Sequence, residues 1–241
     1  RYSSVLPVEA DQPSGGLSLK LVRYSEAETT QIMAQAGKHA GMTGTTLYLI
    51  GCMMRAMESV GTGSAGDAYC VPYAINLRRR KALAPMFGNQ VGFLFAQANR
   101  ETVRSRKILF EHLRAQFMEA VKQGLDHAML PLMQAGSWLP QEKYGSIIRK
   151  TPDNRERSSF WFSYTGDMEP EQARIADCPV SGMYQLSQVT SPPGLGLLAS
   201  RYRGQLTLSY NTISNQIRDD WRDRLAQSMT AELLGLNGES A

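Results

Sequence analysis

The chain has 241 residues, of which 42% are hydrophobic and 20% charged, with 21 Gly and 11 Pro. That balance excludes a disordered, collagenous or coiled-coil protein, and at this length a core forms without a disulfide scaffold. The 26 Lys+Arg against 22 Asp+Glu leave a formal charge of +4, too small an excess to demand a nucleic acid and compatible with an anionic ligand.

Residues 1–16, with Pro7, Pro13, Ser14, Gly15 and Gly16, read as a linker or arm ahead of one folded unit over 17–241. Leu17–Tyr24 alternates apolar and polar residues as a strand does. Ser25-Glu26-Ala27-Glu28 is a capping box, so a helix starts at Glu26 and runs to about Lys38. A second helix starts near Thr45, with Leu47, Ile50, Met53, Met54, Met57 and Val60 at helical spacing, which predicts burial along one stripe. Tyr69–Leu77 reads as a strand, and Gly88–Phe95 as a turn feeding another. Glu101–Gln123 is the longest helix candidate, followed by a short helix near 126–134. Phe160–Tyr164, Met183–Val189, Leu195–Tyr202 and Gln205–Asn211 have strand character, and Gly204 suits a tight hairpin between the last two. A helix from Arg218 to Leu234 closes the chain, with Asp219 and Asp220 complementing its dipole. Mixed strands and helices with late antiparallel strands predict an α/β layered domain, a mixed β-sheet flanked by helices.

Few residues carry recognisable chemistry. Cys52, Cys70 and Cys178 have no metal-type spacing and read as reduced, buried thiols of a cytoplasmic protein. His39, His112 and His127 lack a partner at ligand spacing and a neighbouring nucleophile, so they read as surface or satisfied core residues and no metal site is expected. Gly61-Thr62-Gly63-Ser64-Ala65-Gly66 fits G-x-G-x-x-G, but it follows a helix and precedes a strand, the reverse of a dinucleotide site. It reads as a connection. No apolar run approaches the ~20 residues that span a bilayer, and no signal peptide opens the chain. Its first residue is Arg1 rather than Met, which suggests a fragment or a processed product. The cluster Arg78, Arg79, Arg80 and Lys81 has several readings: a solvated strand end, an anion site for a phosphate or pantetheine-type ligand, a nucleic-acid patch, or an arginine turned inward onto a carboxylate.

Four segments in order resemble the chloramphenicol acetyltransferase-like superfamily, which includes nonribosomal peptide synthetase condensation domains and wax ester synthase-like acyltransferases. Val71-Pro72-Tyr73-Ala74-Ile75-Asn76-Leu77-Arg78 with the later Gly88-Asn89-Gln90-Val91-Gly92-Phe93 resembles its strand, arginine and glycine-turn region. Phe160–Asp167 is similar to a later strand carrying a serine. Leu206–Asn211 with the following amphipathic helix resembles the closing strand and helix, and the opening strand and two helices have the right order.

The resemblance is to the C-terminal half of such proteins, one subdomain of the CoA-dependent acyltransferase fold. It implies a catalytic H-H-x-x-x-D-G motif in a complementary N-terminal subdomain, whose second histidine is the general base. No His-His pair occurs in this chain, so no catalytic residue is expected here and the chain alone should not transfer acyl groups. By the same resemblance, Arg78 pairs with the motif aspartate in a structural role. Ser163 lies on the strand facing the substrate tunnel, where a hydroxyl would bond the oxyanion, although an ordinary strand serine fits the residue equally. Gly88, Asn89 and Gly92 match the turn that shapes the tunnel. The donor implied is a thioester on CoA or on the phosphopantetheine of an acyl carrier protein, the acceptor a small hydroxyl or amine compound. A rival reading is a non-catalytic acyl-ligand or protein-binding module of the same fold. Nucleic-acid binding through Arg78–Lys81 is the weakest, since no aromatics interleave the cluster. A solitary half should also expose an apolar face where its mate docks.

Overall fold

The computed structural model describes residues 15–41, 44–61, 66–77, 91–143, 158–168, 174–189, 193–214 and 216–237. In chain order the elements are β1 (Leu17–Arg23), α1 (Glu26–Ala40), α2 (Thr45–Val60), β2 (Ala68–Asn76), β3 (Val91–Asn99), α3 (Arg100–Arg104), α4 (Arg106–Lys122) and α5 (Leu125–Ser137). They continue with β4 (Trp161–Met168), β5 (Arg174–Ile175), β6 (Cys178–Pro179), β7 (Leu195–Tyr202), β8 (Gln205–Ile213) and α6 (Asp219–Leu234). Among the described residues the long strands form one six-stranded sheet in the order β1-β8-β7-β4-β2-β3, and β5 pairs with β6 apart from it. β4 runs parallel to both neighbours, and every other pairing is antiparallel. The protein is therefore an α/β layered domain with a mixed sheet flanked by helices.

Local signals set several boundaries. The Ser25 hydroxyl accepts the Glu28 N–H at 3.2 Å, while the Glu28 carboxylate accepts the Ser25 N–H at 2.8 Å, and α1 begins one residue later. Between β7 and β8, Arg203 and Gly204 both have positive φ (48° and 75°), the backbone twist a two-residue hairpin needs. Asp219 and Asp220 occupy the first turn of α6.

One face of the sheet carries the core. Tyr69, Val71 and Tyr73 of β2, Phe162 of β4, Leu195, Leu197 and Ala199 of β7, and Leu206, Leu208 and Tyr210 of β8 are buried against α1, α2, α4 and α6. The periodicity of α2 predicts one buried stripe, but residues Leu47 through Met54 are all buried. The cause is tertiary: α2 lies inside the helical layer, touching α1, α4 and α6 as well as packing into the core.

The predicted helix over Glu101–Gln123 is two helices. Ser105 is extended (φ −93°, ψ 112°) and separates α3 from α4. Arg55 of α2 donates from Nη1 to the Val103 and Arg104 carbonyls at 3.0 and 2.7 Å, satisfying the end of α3 from a distant element. The side chain of Arg106 turns inward, where Nη1 meets Glu232 of α6 at 2.8 Å. Near the end of α4, Val121 is 43% exposed.

The predicted strand Met183–Val189 makes no ladder. It runs as a ribbon across the helix-free face of the sheet, the one against which no helix packs among the described residues: Tyr184 lies under the Arg23 guanidinium, 5.6 Å from its ring centroid, and Val189 lies against Gly196. Thr207, Ser209 and Asn211 of β8, on the face turned away from the helices, are buried. The centre of the sheet is thinly paired, with β2 and β4 in register only at Tyr73↔Phe162. Cys70 turns its N–H and C=O toward this side, meeting Ser159 at 3.1 and 2.7 Å. Pro72, two residues on, turns its nitrogen the same way and has no hydrogen to donate.

Candidate functional site

The helix-free face holds a cleft of about 460 Å³, within the range of small-ligand sites. Its floor is the middle of the sheet, from Ala74, Phe93, Ser163 and Leu198, and its outer wall is the ribbon at residues 185–188. Alternation along β4 puts Phe162 and Tyr164 toward the core and Ser163 toward the cleft, in register with Leu198 of β7. Ser163 is half-buried, and its hydroxyl has no hydrogen-bond partner among the described residues. The Gln185 Oε1, also without a partner among them, is sealed from solvent in the facing ribbon. A small set of polar atoms thus sits in a mainly aromatic and aliphatic groove.

The residues expected from sequence do not all meet there. Ser163 lines the cleft. Gly92 does not: a Cβ at that position would collide with the Asp126 carbonyl at the start of α5 and come within 3.1 Å of Leu77 Cδ1. Its bareness lets α5 close on the end of β3. Arg78, Gly88 and Asn89 lie outside the described residues, as do the rest of the basic cluster, residues 1–14 of the predicted arm and residues 62–65 of the glycine-rich connection. Sequence reasoning does not single out two cleft residues, Gln185 and Trp161: Gln185 sits in a stretch whose alternation mimics a strand, and Trp161 lies in the Phe160–Asp167 segment, whose resemblance points to its serine alone.

Other titratable groups have structural surroundings. His39 stacks near Tyr48 and Phe110, with ring centroids 6.2 and 5.7 Å away. The His112 Nε2 lies 2.9 Å from the Gln97 carbonyl, and His127 is beside Asp126. All three cysteines are free. Cys52 and Cys70 are buried, and burial pushes the Cys52 thiol up to about 12, which makes it inert. The exposed Cys178 of β6 corrects the expectation that every thiol is buried. Among the described residues no group of His, Cys, Asp and Glu could hold a metal ion, and no helix is long and apolar enough to cross a membrane.

The helix-free side also exposes large apolar side chains. Leu17 and Leu19 of β1 point opposite to the core-facing Val22 and Tyr24, and Phe95, Trp161, Met183 and Leu186 are exposed as well. Leu17 is 52% and Phe95 46% exposed. A sheet with one face on a helical layer and the other cleft-bearing and apolar matches a known architecture.

That architecture is the fold common to nonribosomal peptide synthetase condensation-type domains and CoA-dependent acyltransferases, and this chain has it. The epimerization domain from the third module of tyrocidine synthetase B superposes with a TM-score of 0.64 at 14% identity, over 98% of this chain and 52% of that one. Trichothecene 15-O-acetyltransferase TRI3 from Fusarium sporotrichioides gives 0.69 at 13% identity, over 92% of this chain and 47% of the enzyme. The X-domain from teicoplanin biosynthesis, in its complex with OxyB, gives 0.61 at 13% identity, over 97% of this chain and 49% of that one. No protein-family profile matches the sequence, and no curated protein matches it. At these identities the likeness is one of fold, and the chain spans about half the length of the structures it matches.

Proposed function

We propose that this chain is the C-terminal subdomain of an acyltransferase or condensation-type enzyme and forms one wall of its substrate tunnel. The observation that carries the reading is the apolar cleft with a Ser163 hydroxyl that has no partner among the described residues, on the face of the sheet against which no described helix packs. The half-length fold match and the exposed Leu17, Leu19 and Phe95 support a complementary N-terminal subdomain over that face. The donor is an acyl thioester on CoA or on the phosphopantetheine of a carrier protein, and the acceptor a small hydroxyl or amine compound.

In this reading a histidine of the complementary half removes the proton of the acceptor as its oxygen or nitrogen attacks the thioester carbonyl. The new bond leaves a tetrahedral oxyanion, which the Ser163 hydroxyl stabilises by donating a hydrogen bond. Collapse of the oxyanion breaks the C–S bond, and the histidine returns the proton to the departing thiolate. Phe93, Trp161 and Leu198 hold the acyl body and exclude water from the groove. Arg78 braces the histidine loop through its aspartate.

The test is reconstitution of this chain with a subdomain carrying His-His-x-x-x-Asp, assayed by thiol release from acyl thioesters. Ser163→Ala is expected to lower kcat by about 10²–10³-fold, the cost of one oxyanion donor, and Arg78→Ala to abolish turnover. Full turnover by the Ser163→Ala enzyme would remove the serine from the chemistry. A second reading is a binding module of the same fold, favoured by the missing His-His pair and by the X-domain, solved in complex with OxyB. It expects acyl-thioester binding in the cleft with no turnover in any reconstitution.

A further inference from the structure

A second cavity, of about 470 Å³, lies on the helical side of the same sheet, with Ala74 at the boundary between the two. It is bounded by the first turn of α2 at Thr46 and Leu47, by Tyr73 of β2 and Tyr164 of β4, and by Arg114 and Phe117 of α4. No Asp or Glu is among the described residues that line it.

Several donors around this cavity have no partner among the described residues. The first turn of α2 has no side-chain cap and no acidic residue. The Gly44 N–H is taken by the Gly41 carbonyl at 2.9 Å, so the N–H groups of Thr45, Thr46 and Leu47 are left over at the positive end of a 16-residue helix. Tyr73 supplies an independent sign of a ligand. Only 3% of the residue is exposed, and its hydroxyl makes no hydrogen bond among the described residues. Yet that oxygen is not among the unpaired polar atoms sealed from solvent, so what little Tyr73 exposes includes its oxygen, at the wall of the cavity. The Tyr73 hydroxyl therefore opens on the cavity as a donor with no protein partner among the described residues, while the rest of the side chain is held rigid by burial. Burial pushes the Tyr73 and Tyr164 phenols up, so both stay protonated and able to donate. The Arg114 guanidinium has no ion pair or hydrogen bond among the described residues, and neither has the Tyr164 hydroxyl.

We propose that this cavity binds an organic carboxylate with an apolar body. The carboxylate lies against the α2 N-terminus, the Tyr73 hydroxyl and the Arg114 fork, and the body rests on Leu47, Ile75 and Phe117. One arginine and two neutral phenols match a single negative charge, and the apolar walls select against a bare inorganic ion. The sheet separates the site from the cleft that holds Ser163, so the inference stands whatever becomes of the acyl-transfer reading.

The test is calorimetric titration of the 241-residue chain with octanoate, and with octan-1-ol as its uncharged counterpart. The expected result is saturable binding of one octanoate, with octan-1-ol at least about tenfold weaker. Arg114→Ala removes an exposed side chain and Tyr73→Phe a single oxygen, so both variants keep the fold, as thermal melts will verify. Each is expected to weaken octanoate by about tenfold or more. Absence of octanoate binding overturns the proposal, as does an affinity that both variants leave unchanged or that octan-1-ol equals.

Discussion

Glu232 of α6 anchors the helical layer through one buried carboxylate, and its removal should cost far more than the loss of a surface ion pair. Its Oε2 accepts from Arg55 Nε and Arg106 Nη1, both at 2.8 Å, and its Oε1 from Asn237 at 3.0 Å. The side chains of Glu232 and Arg106 are only 4% and 7% exposed. Arg106 also donates to the Tyr48 hydroxyl at 2.8 Å, and that hydroxyl donates to the Leu233 carbonyl at 2.9 Å, so the network also satisfies the end of α6. Glu232→Ala leaves two guanidinium groups without this counter-charge where water barely reaches. Breaking one partner out of a buried pair costs about 3–5 kcal/mol, which in a domain of this size lowers the midpoint of thermal unfolding by roughly 6–20 °C. Asp223→Ala serves as the comparison, because its bond to Lys20 at 2.7 Å is half in solvent and worth at most about 1 kcal/mol. Urea unfolding of parent and variants, with equal m-values, measures both. If Glu232→Ala cost no more than Asp223→Ala, the buried network would not be holding α2, α4 and α6 together. Replacing Arg106 and Glu232 jointly by Met should recover part of the loss, since of the two guanidinium groups only that of Arg55, which keeps its bonds to the Val103 and Arg104 carbonyls, is then left without the carboxylate.

Two further perturbations probe other links. Gly204→Val forces a β-branched residue into the left-handed region of the β7–β8 turn and is expected to cost about 1–2 kcal/mol in urea unfolding; an unchanged midpoint would mean the turn relaxes freely. Glu58 concerns the acid limb of stability. Burial works to raise its carboxyl pKa, but hydrogen bonds from Arg100, Tyr69 and Arg104 outweigh that and hold it below its ordinary value of 4.5. A folded-state pKa depressed in this way stabilises the protein above the unfolded value, and that stability is lost as pH falls through the folded one. Glu58→Gln should therefore flatten the fall in stability below pH 4.5 and change little of its slope above it. Urea midpoints measured from about pH 6 to about pH 3 check the sign, and parallel acid limbs for parent and variant would refute it.

Part of the candidate site is legible in the order of amino acids. Alternation in Phe160–Tyr164 puts Ser163 on the face opposite two core aromatics, and it lies in the cleft. Gln185 is hidden because its segment alternates like a strand while crossing the sheet instead of joining it. Tyr73 and Arg114 carry no signal, since nothing in a strand tyrosine or a helical arginine reveals that each will lack a partner among the described residues. That fact depends on what every other element does with its own polar groups.

Interactions spanning a few residues need nothing beyond the local sequence: the capping box at Ser25, the hairpin at Gly204, the acidic first turn of α6 and the alternation of β1. Their energy comes from groups a turn or a strand pair apart, so local order is enough to specify them. Long-range packing governs the remainder. Arg55, reaching across from α2, ends α3 where periodicity alone would continue a single helix. Position inside the helical layer buries α2 on every side of most of its length, although its pattern asks for only one buried stripe. The order β1-β8-β7-β4-β2-β3 brings Ser163, Leu198, Ala74 and Phe93 to one cleft from four strands scattered along the chain. A hydrophobic pattern states that a side chain must be buried, but only the packed fold states against what.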